Sequence, residues 1–131
     1  MGRALQWDDR YSCGHPVLDR QHRYLIDTAN EIRREFGNSN AVALHCWIRR
    51  LLDYTEYHFI SEEAVMARRN SPDAAEHAAE HVVIRTYLEE LWAIRDQMTP
   101  EELFETVAEW VVNHVLVTDQ CMGPTGRPPA Q

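Results

Sequence analysis

Histidine and carboxylate side chains bind metal ions, and in this chain they recur at spacings that suit helices. His22 is followed by His58-Phe-Ile-Ser-Glu62, by His77-Ala-Ala-Glu-His81 and by His114-Val-Leu-Val-Thr-Asp119. Two of these pairs are four residues apart, which on a helix puts both side chains on one face about a turn apart. One such pair arises easily by chance. Two pairs plus two further histidines, spread over four segments, are harder to dismiss. A structural zinc is content with about four ligands in a closed tetrahedron. Seven candidate ligands point instead to two metal ions, and imidazole with carboxylate suits iron.

Four helical patterns carry these residues. The first starts near Asp19, a good N-cap, carries His22, Leu25, Ala29, Ile32 and Phe36 at steps of three and four, and ends at Gly37. The second covers about residues 40–69, with Leu44, Ile48, Leu51, Thr55, His58, Glu62 and Val65 in the same rhythm, and stops at Asn70-Ser71-Pro72. Asp73 caps the third, which continues through His77, His81, Ile84, Leu88 and Leu91. Thr99-Pro100-Glu101-Glu102 gives the fourth an N-cap, a proline at its first helical position and a capping-box glutamate. Its stripe is Leu103, Val107, Trp110 and His114. Strand-like alternation is absent and the connections are short, so the expected fold is all-α: an up-down-up-down four-helix bundle.

That topology tests the metal reading independently. The start of the first helix, the end of the second, the start of the third and the end of the fourth meet at one end of such a bundle. His22, His58 with Glu62, His77 with His81, and His114 occupy those places, each on the inward stripe. Leaving such groups buried and unsatisfied costs on the order of 1–3 kcal/mol each, which makes coordination the natural explanation.

At 131 residues the chain is expected to be one domain, with a core that needs no disulfides. Residues 1–18 read as an extended N-terminal arm, 19–122 as the bundle, and 123–131, rich in proline and glycine, as a flexible tail. The formal charge of −8 disfavours nucleic acid and anionic membrane as partners. The pairs Arg33-Arg34, Arg49-Arg50 and Arg68-Arg69 read as solvated faces. No segment approaches the roughly 20 apolar residues of a membrane span, and the first residues lack an export-type apolar run, so a cytoplasmic protein is expected. The three cysteines, Cys13, Cys46 and Cys121, describe no disulfide framework. Cys46 is expected in the core. Cys13 and Cys121, near the metal end, could form a redox-sensing pair or remain unpaired thiols. His15 and His45 fall outside the ligand pattern and are expected to be structural.

Taken together, His22 preceded by Asp19-Arg20-Gln21, His58-Phe59-x-x-Glu62-Glu63, His77-x-x-x-His81 and His114-x-x-x-x-Asp119 resemble the hemerythrin family, over residues 7–122. Length and the lack of attached domains resemble the single-domain bacteriohemerythrins. The resemblance implies that His77, His81 and His114 hold one iron, His22 and His58 the other, and that Glu62 and Asp119 bridge the pair together with an oxo or hydroxo oxygen. Filling two six-coordinate irons with this set leaves one position open, on the iron of His22 and His58. Dioxygen is the implied ligand there, with azide or other small anions on the oxidised form. The implied pocket wall is Leu25, Phe59, Trp110, Val111, Val115 and Val117. On a regular helix the i,i+5 step to Asp119 points off the face, so the fourth helix is expected to end or loosen near it.

The leading functional expectation is a non-haem di-iron protein that binds dioxygen reversibly for carriage, storage or delivery, with an unidentified oxygen acceptor or reductase as partner, and is not an enzyme. An oxygen or redox sensor is one alternative, although no output domain is attached. A di-iron enzyme acting on peroxide, nitric oxide or ferrous iron is another, disfavoured because no acid or base lines the pocket. The Glu-x-x-His pairs of ferritin-like di-iron carboxylate proteins do not occur here.

Overall fold

In a computed structural model of the chain, residues 12, 14–38 and 40–114 are described. Among them are four long helices and a short 3-10 turn: α1 (Pro16–Arg34), α2 (Ala41–Arg68), α3 (Ala74–Ala93), the turn Arg95–Gln97, and α4 (Pro100–Asn113). No strand occurs among the described residues. α1 packs on α2 and α4, α3 packs on the same two, and α2 also touches α4 across the middle. This is the expected four-helix bundle with consecutive helices as neighbours.

The stripes set the packing. On α2, Leu44, Ile48, Leu51, Thr55, His58, Glu62 and Val65 are all buried, a run of threes and fours that keeps one face inward for the helix's whole length. Thr55 satisfies its buried hydroxyl by donating to the Leu51 carbonyl at 2.8 Å. The main core joins Leu25, Ala29 and Ile32 to Ile48, Leu51 and Phe59, to Ile84 and Leu88, and to Leu103, Phe104, Val107 and Val111. A second, smaller cluster of Leu18, Val65 and Met66, with Ala74 against it, closes the opposite end. The polar residues of the candidate site lie between the two.

Three connections fix the register. Asn40 caps α2 by accepting from the Ala43 N–H, and Thr99 with Glu102 forms a complete capping box at α4. Between α2 and α3 the chain turns through Asn70, whose φ of 51° is left-handed. There Asn70 N–H bonds to the Ala67 carbonyl and Ser71 N–H to the Met66 carbonyl. These are the paired bonds of a Schellman ending, with asparagine in the place glycine usually takes. So tight a reversal starts α3 within a few residues and sets its first turns against the last turns of α2.

Four expectations are corrected. α1 begins at Pro16, not near Asp19, so residues 16–18 leave the arm. Its cap is His15, whose Nδ1 accepts from the Leu18 N–H; Pro16 suits the first helical position because it needs no N–H partner there. Asp19 instead accepts from Ser12 Oγ at 2.6 Å. Asp73 occupies the cap position of α3 without a side-chain cap bond, because its backbone (φ −96°, ψ 5°) is not extended there. Cys46 is exposed, two residues from the inward Leu44 and Ile48 and hence on the opposite face. The arginine pairs are split rather than uniformly solvated. Arg33 reaches across to Glu105 on α4 and lies over the Phe104 ring. Arg49 clamps Asp53 on its own helix and Glu89 on α3, while Arg34 and Arg50 are exposed. His45 is half-buried edge-on against Trp92.

Candidate metal centre

Glu62 is the hub of the site. Its carboxylate is fully buried, where an isolated charge would be strongly disfavoured. Imidazoles approach it from all four helical segments. On α3, His77 Nε2 contacts Glu62 Oε1, and His81 Nε2 lies 3.1 Å from the same oxygen. From α2 itself, His58 Nε2 is 3.2 Å from Oε2. From the end of α4, His114 Nε2 is 3.6 Å from Oε2. On α1, His22 Nε2 stands 3.2 Å from His58 Nε2. All six residues are buried, the most exposed being His77 at 5%.

The donor atoms fall into two overlapping groups. One atom each from Glu62, His77, His81 and His114 lies within 4.8 Å of the others, and the same holds for His22, His58 and Glu62. The groups share one side chain, the carboxylate. Of the seven residues expected as ligands, the structure therefore brings six together. Asp119 lies outside the described residues.

Partners behind the rings decide which nitrogen carries the proton. His58 Nδ1 is 2.9 Å from Gln21 Oε1, and Gln21 Nε2 in turn donates to Ser61 Oγ at 3.0 Å. Ser61 Oγ donates onward to the Tyr57 carbonyl at 3.1 Å, so this chain of bonds has one direction. His81 Nδ1 donates to Glu63 Oε2 at 2.9 Å. With Nδ1 protonated in both rings, each Nε2 presents a bare lone pair inward, which is how a metal-binding histidine is held. His81 Nε2 has no hydrogen-bond partner. Several inward lone pairs around one buried carboxylate repel one another unless a cation lies among them. This donor set fits a pair of divalent metal ions.

Neither Gln21 nor Glu63 was singled out by the spacing of ligand types. Gln21 had a signal: it lies three residues after Leu18 and four before Leu25, so a polar side chain falls on the inward stripe, and it is buried. Both also stood in the motifs that carry the family resemblance, Gln21 just before His22 and Glu63 just after Glu62, without a role assigned to either.

Of the residues expected to wall a pocket, Leu25, Phe59 and Val111 are buried in the main cluster. Phe59 stacks on His81, centroids 4.0 Å apart, stands edge-on to His114 at 4.8 Å, and lies 6.2 Å from His58. It thus borders both histidine groups. Trp110 is half-buried and packs against Tyr87 of α3 at 4.8 Å. Val115 and Val117 lie outside the described residues, as do Cys13 and Cys121. No helix among the described residues is long and apolar enough to cross a membrane.

A bundle with a histidine and glutamate cluster at one end defines a class of metal-binding helical proteins, and comparison with known proteins narrows it. The family model of the hemerythrin HHE cation binding domain matches residues 13–125. The chain belongs to the hemerythrin family. It is 30% identical to a bacteriohemerythrin of Stenotrophomonas maltophilia over 119 residues, covering 88% of this chain and 77% of that protein. It is 28% identical to a bacteriohemerythrin of Methylococcus capsulatus over 109 residues, covering 81% and 83%. A myohemerythrin of Theromyzon tessulatum is 26% identical over 114 residues, covering 87% of each chain. The fold also superposes on the crystal structure of a hemerythrin point mutant with a TM-score of 0.82 at 25% identity, covering 92% of this chain and 95% of that one. At family level this is a protein of the di-iron, oxygen-binding class.

Proposed function

We propose that the chain holds two iron ions and binds dioxygen reversibly, for carriage, storage or delivery rather than for turnover. The observation that carries this reading is the shared carboxylate: the Glu62 oxygens stand among histidines of both donor groups. His77, His81 and His114 would hold one iron, His22 and His58 the other, with Glu62 between them. Asp119 would be the second bridging carboxylate. A solvent-derived oxygen would complete the bridges. When bound, such a pair supplies two electrons and one open position for a small ligand.

The residues of the chain do the rest. Gln21 and Glu63 hold His58 and His81 in one tautomer and one orientation. Phe59 packs against the His81 and His114 rings, and with Leu25 and Val111, buried in the same cluster, it would keep water and proton donors from the bound ligand so that oxygen leaves as oxygen. Trp110, Val115 and Val117 would extend that wall. A single domain suffices for this function, and its compartment in this reading is the cytoplasm, with an oxygen acceptor or reductase as partner.

Repeated oxygenation of the reduced, iron-loaded protein tests the proposal. A visible absorption band should appear in air and disappear on degassing, over several cycles. Conversion within seconds to a permanently oxidised form, with stoichiometric hydrogen peroxide released, would contradict it and favour a sensor or oxidase.

A further inference from the structure

Behind His58 stands a neutral amide; behind His81 stands a carboxylate. Gln21 Oε1 and Glu63 Oε2 each lie 2.9 Å from the Nδ1 they face. Both fix the same tautomer, so the need for a tautomer does not explain the difference in charge. A carboxylate accepting the Nδ1 proton pushes electron density into the ring and makes the opposite nitrogen a stronger donor. A neutral amide makes the weaker bond and does less.

Glu63 does not act alone. Its Oε2 also lies 4.0 Å from Arg85 Nη2, and the Nε of Arg85 is bonded to Glu56. Glu63 and Arg85 are each 35% exposed and Glu56 40%, whereas the His81 ring is fully buried. A buried ring is thus joined, through one carboxylate, to an ion pair in contact with solvent on the α2–α3 seam. The line behind His58 is of another kind: it passes through Gln21 and Ser61 to a backbone carbonyl, all uncharged.

Building on the two-metal reading, we propose that Glu63, moderated by Arg85, is a positioning residue that makes the two metal positions electronically unequal. The position of His77, His81 and His114 becomes the electron-rich one. Gln21 leaves the position of His22 and His58 the more electrophilic. The asymmetry suits a division of labour, in which the electrophilic position takes the external ligand and its neighbour gives up an electron readily. Arg85 draws charge away from Glu63 and so sets how strongly His81 donates. A change at the α2–α3 surface therefore reaches the centre without altering any ligand.

The test compares Glu63→Gln, Arg85→Gln and Gln21→Glu with the wild type, first metal-free and then loaded. In the metal-free wild type, nitrogen NMR should find His81 protonated at Nδ1. Titration with zinc should fill two sites. Glu63→Gln should weaken one of them by about 10–100-fold, the usual effect of losing such a partner, and leave the other. In the iron-loaded protein Glu63→Gln should raise the reduction potential, while Arg85→Gln and Gln21→Glu should lower it. Opposite signs for Glu63→Gln and Arg85→Gln are what a merely structural role would not produce. Shifts of the same sign, or two unaltered zinc sites in Glu63→Gln, would overturn this inference alone. A wild type with no second metal site would overturn the two-metal reading and this inference with it.

Discussion

Glu62 is the residue whose burial makes least sense without a cation. A carboxylate with no exposure, ringed by imidazoles, destabilises the bundle unless positive charge compensates it. Five histidines and Glu62 were legible from sequence because the i,i+4 spacing and the apolar stripe both pointed to one face. Gln21 and Glu63 stood in the motifs that carry the resemblance, but their roles were not legible, because these depend on which ring nitrogen each meets, and that is set by packing between helices. Cys46 shows the converse: a small apolar residue type suggested the core, but its helical phase puts it outside. A pair of leucines tests the pocket at this scale. Leu25 and Leu44 are both nearly fully buried, so Leu25→Ala and Leu44→Ala should each cost about 2–5 kcal/mol in denaturant unfolding. Only Leu25→Ala should change the rate of azide binding to the oxidised, iron-loaded protein, since Leu44 begins α2 at the far end of the core. Equal effects from the two would count against the pocket.

Among the elements, α4 was the most legible, because Thr99, Pro100 and Glu102 signal its start in three ways at once. The structure bears this out: Thr99 N–H donates to Glu102 Oε1 at 2.9 Å, and Glu102 N–H donates to Thr99 Oγ1 at 3.1 Å. Thr99→Ala should cost about 1 kcal/mol by denaturant unfolding, as cap losses do. The start of α1 was misread, since Asp19 is a stronger cap type than histidine and only the geometry of His15-Pro16 reveals the true cap. The capping box also carries a pH dependence. Hydrogen bonds from the Thr99 backbone, then from its side chain, hold the Glu102 carboxyl below its ordinary range. A depressed folded-state value means that the stabilisation is present above the unfolded-state value and is lost as pH falls through the folded one. The difference in unfolding midpoint between wild type and Glu102→Ala should therefore narrow on acidification through the carboxylate range. A gap that widened instead would show that the box is not the source.

For the whole molecule, topology and site were readable together because the same residues encode both. The helical stripes that build the core continue without a break into the ligands, so the sequence pattern located the bundle and the metal end in one step. What it left unread were the cross-helix clamps, such as Arg33 to Glu105 and Arg49 to Glu89, where one charge in a solvated-looking pair finds a partner far away in the chain. A centre that draws on all four helical segments couples metal binding to folding, because ligands gathered only in the folded state stabilise it by mass action. Metal-free protein should melt well below the loaded form, with the difference growing as metal concentration rises. The central claim is that one chain holds a pair of metal ions about a shared carboxylate, and iron content per chain tests it most directly. Protein produced with ample iron should approach two irons per chain, and Glu62→Ala should hold neither iron stably. A reproducible single zinc per chain with no iron, unchanged by loss of Glu62, would contradict it.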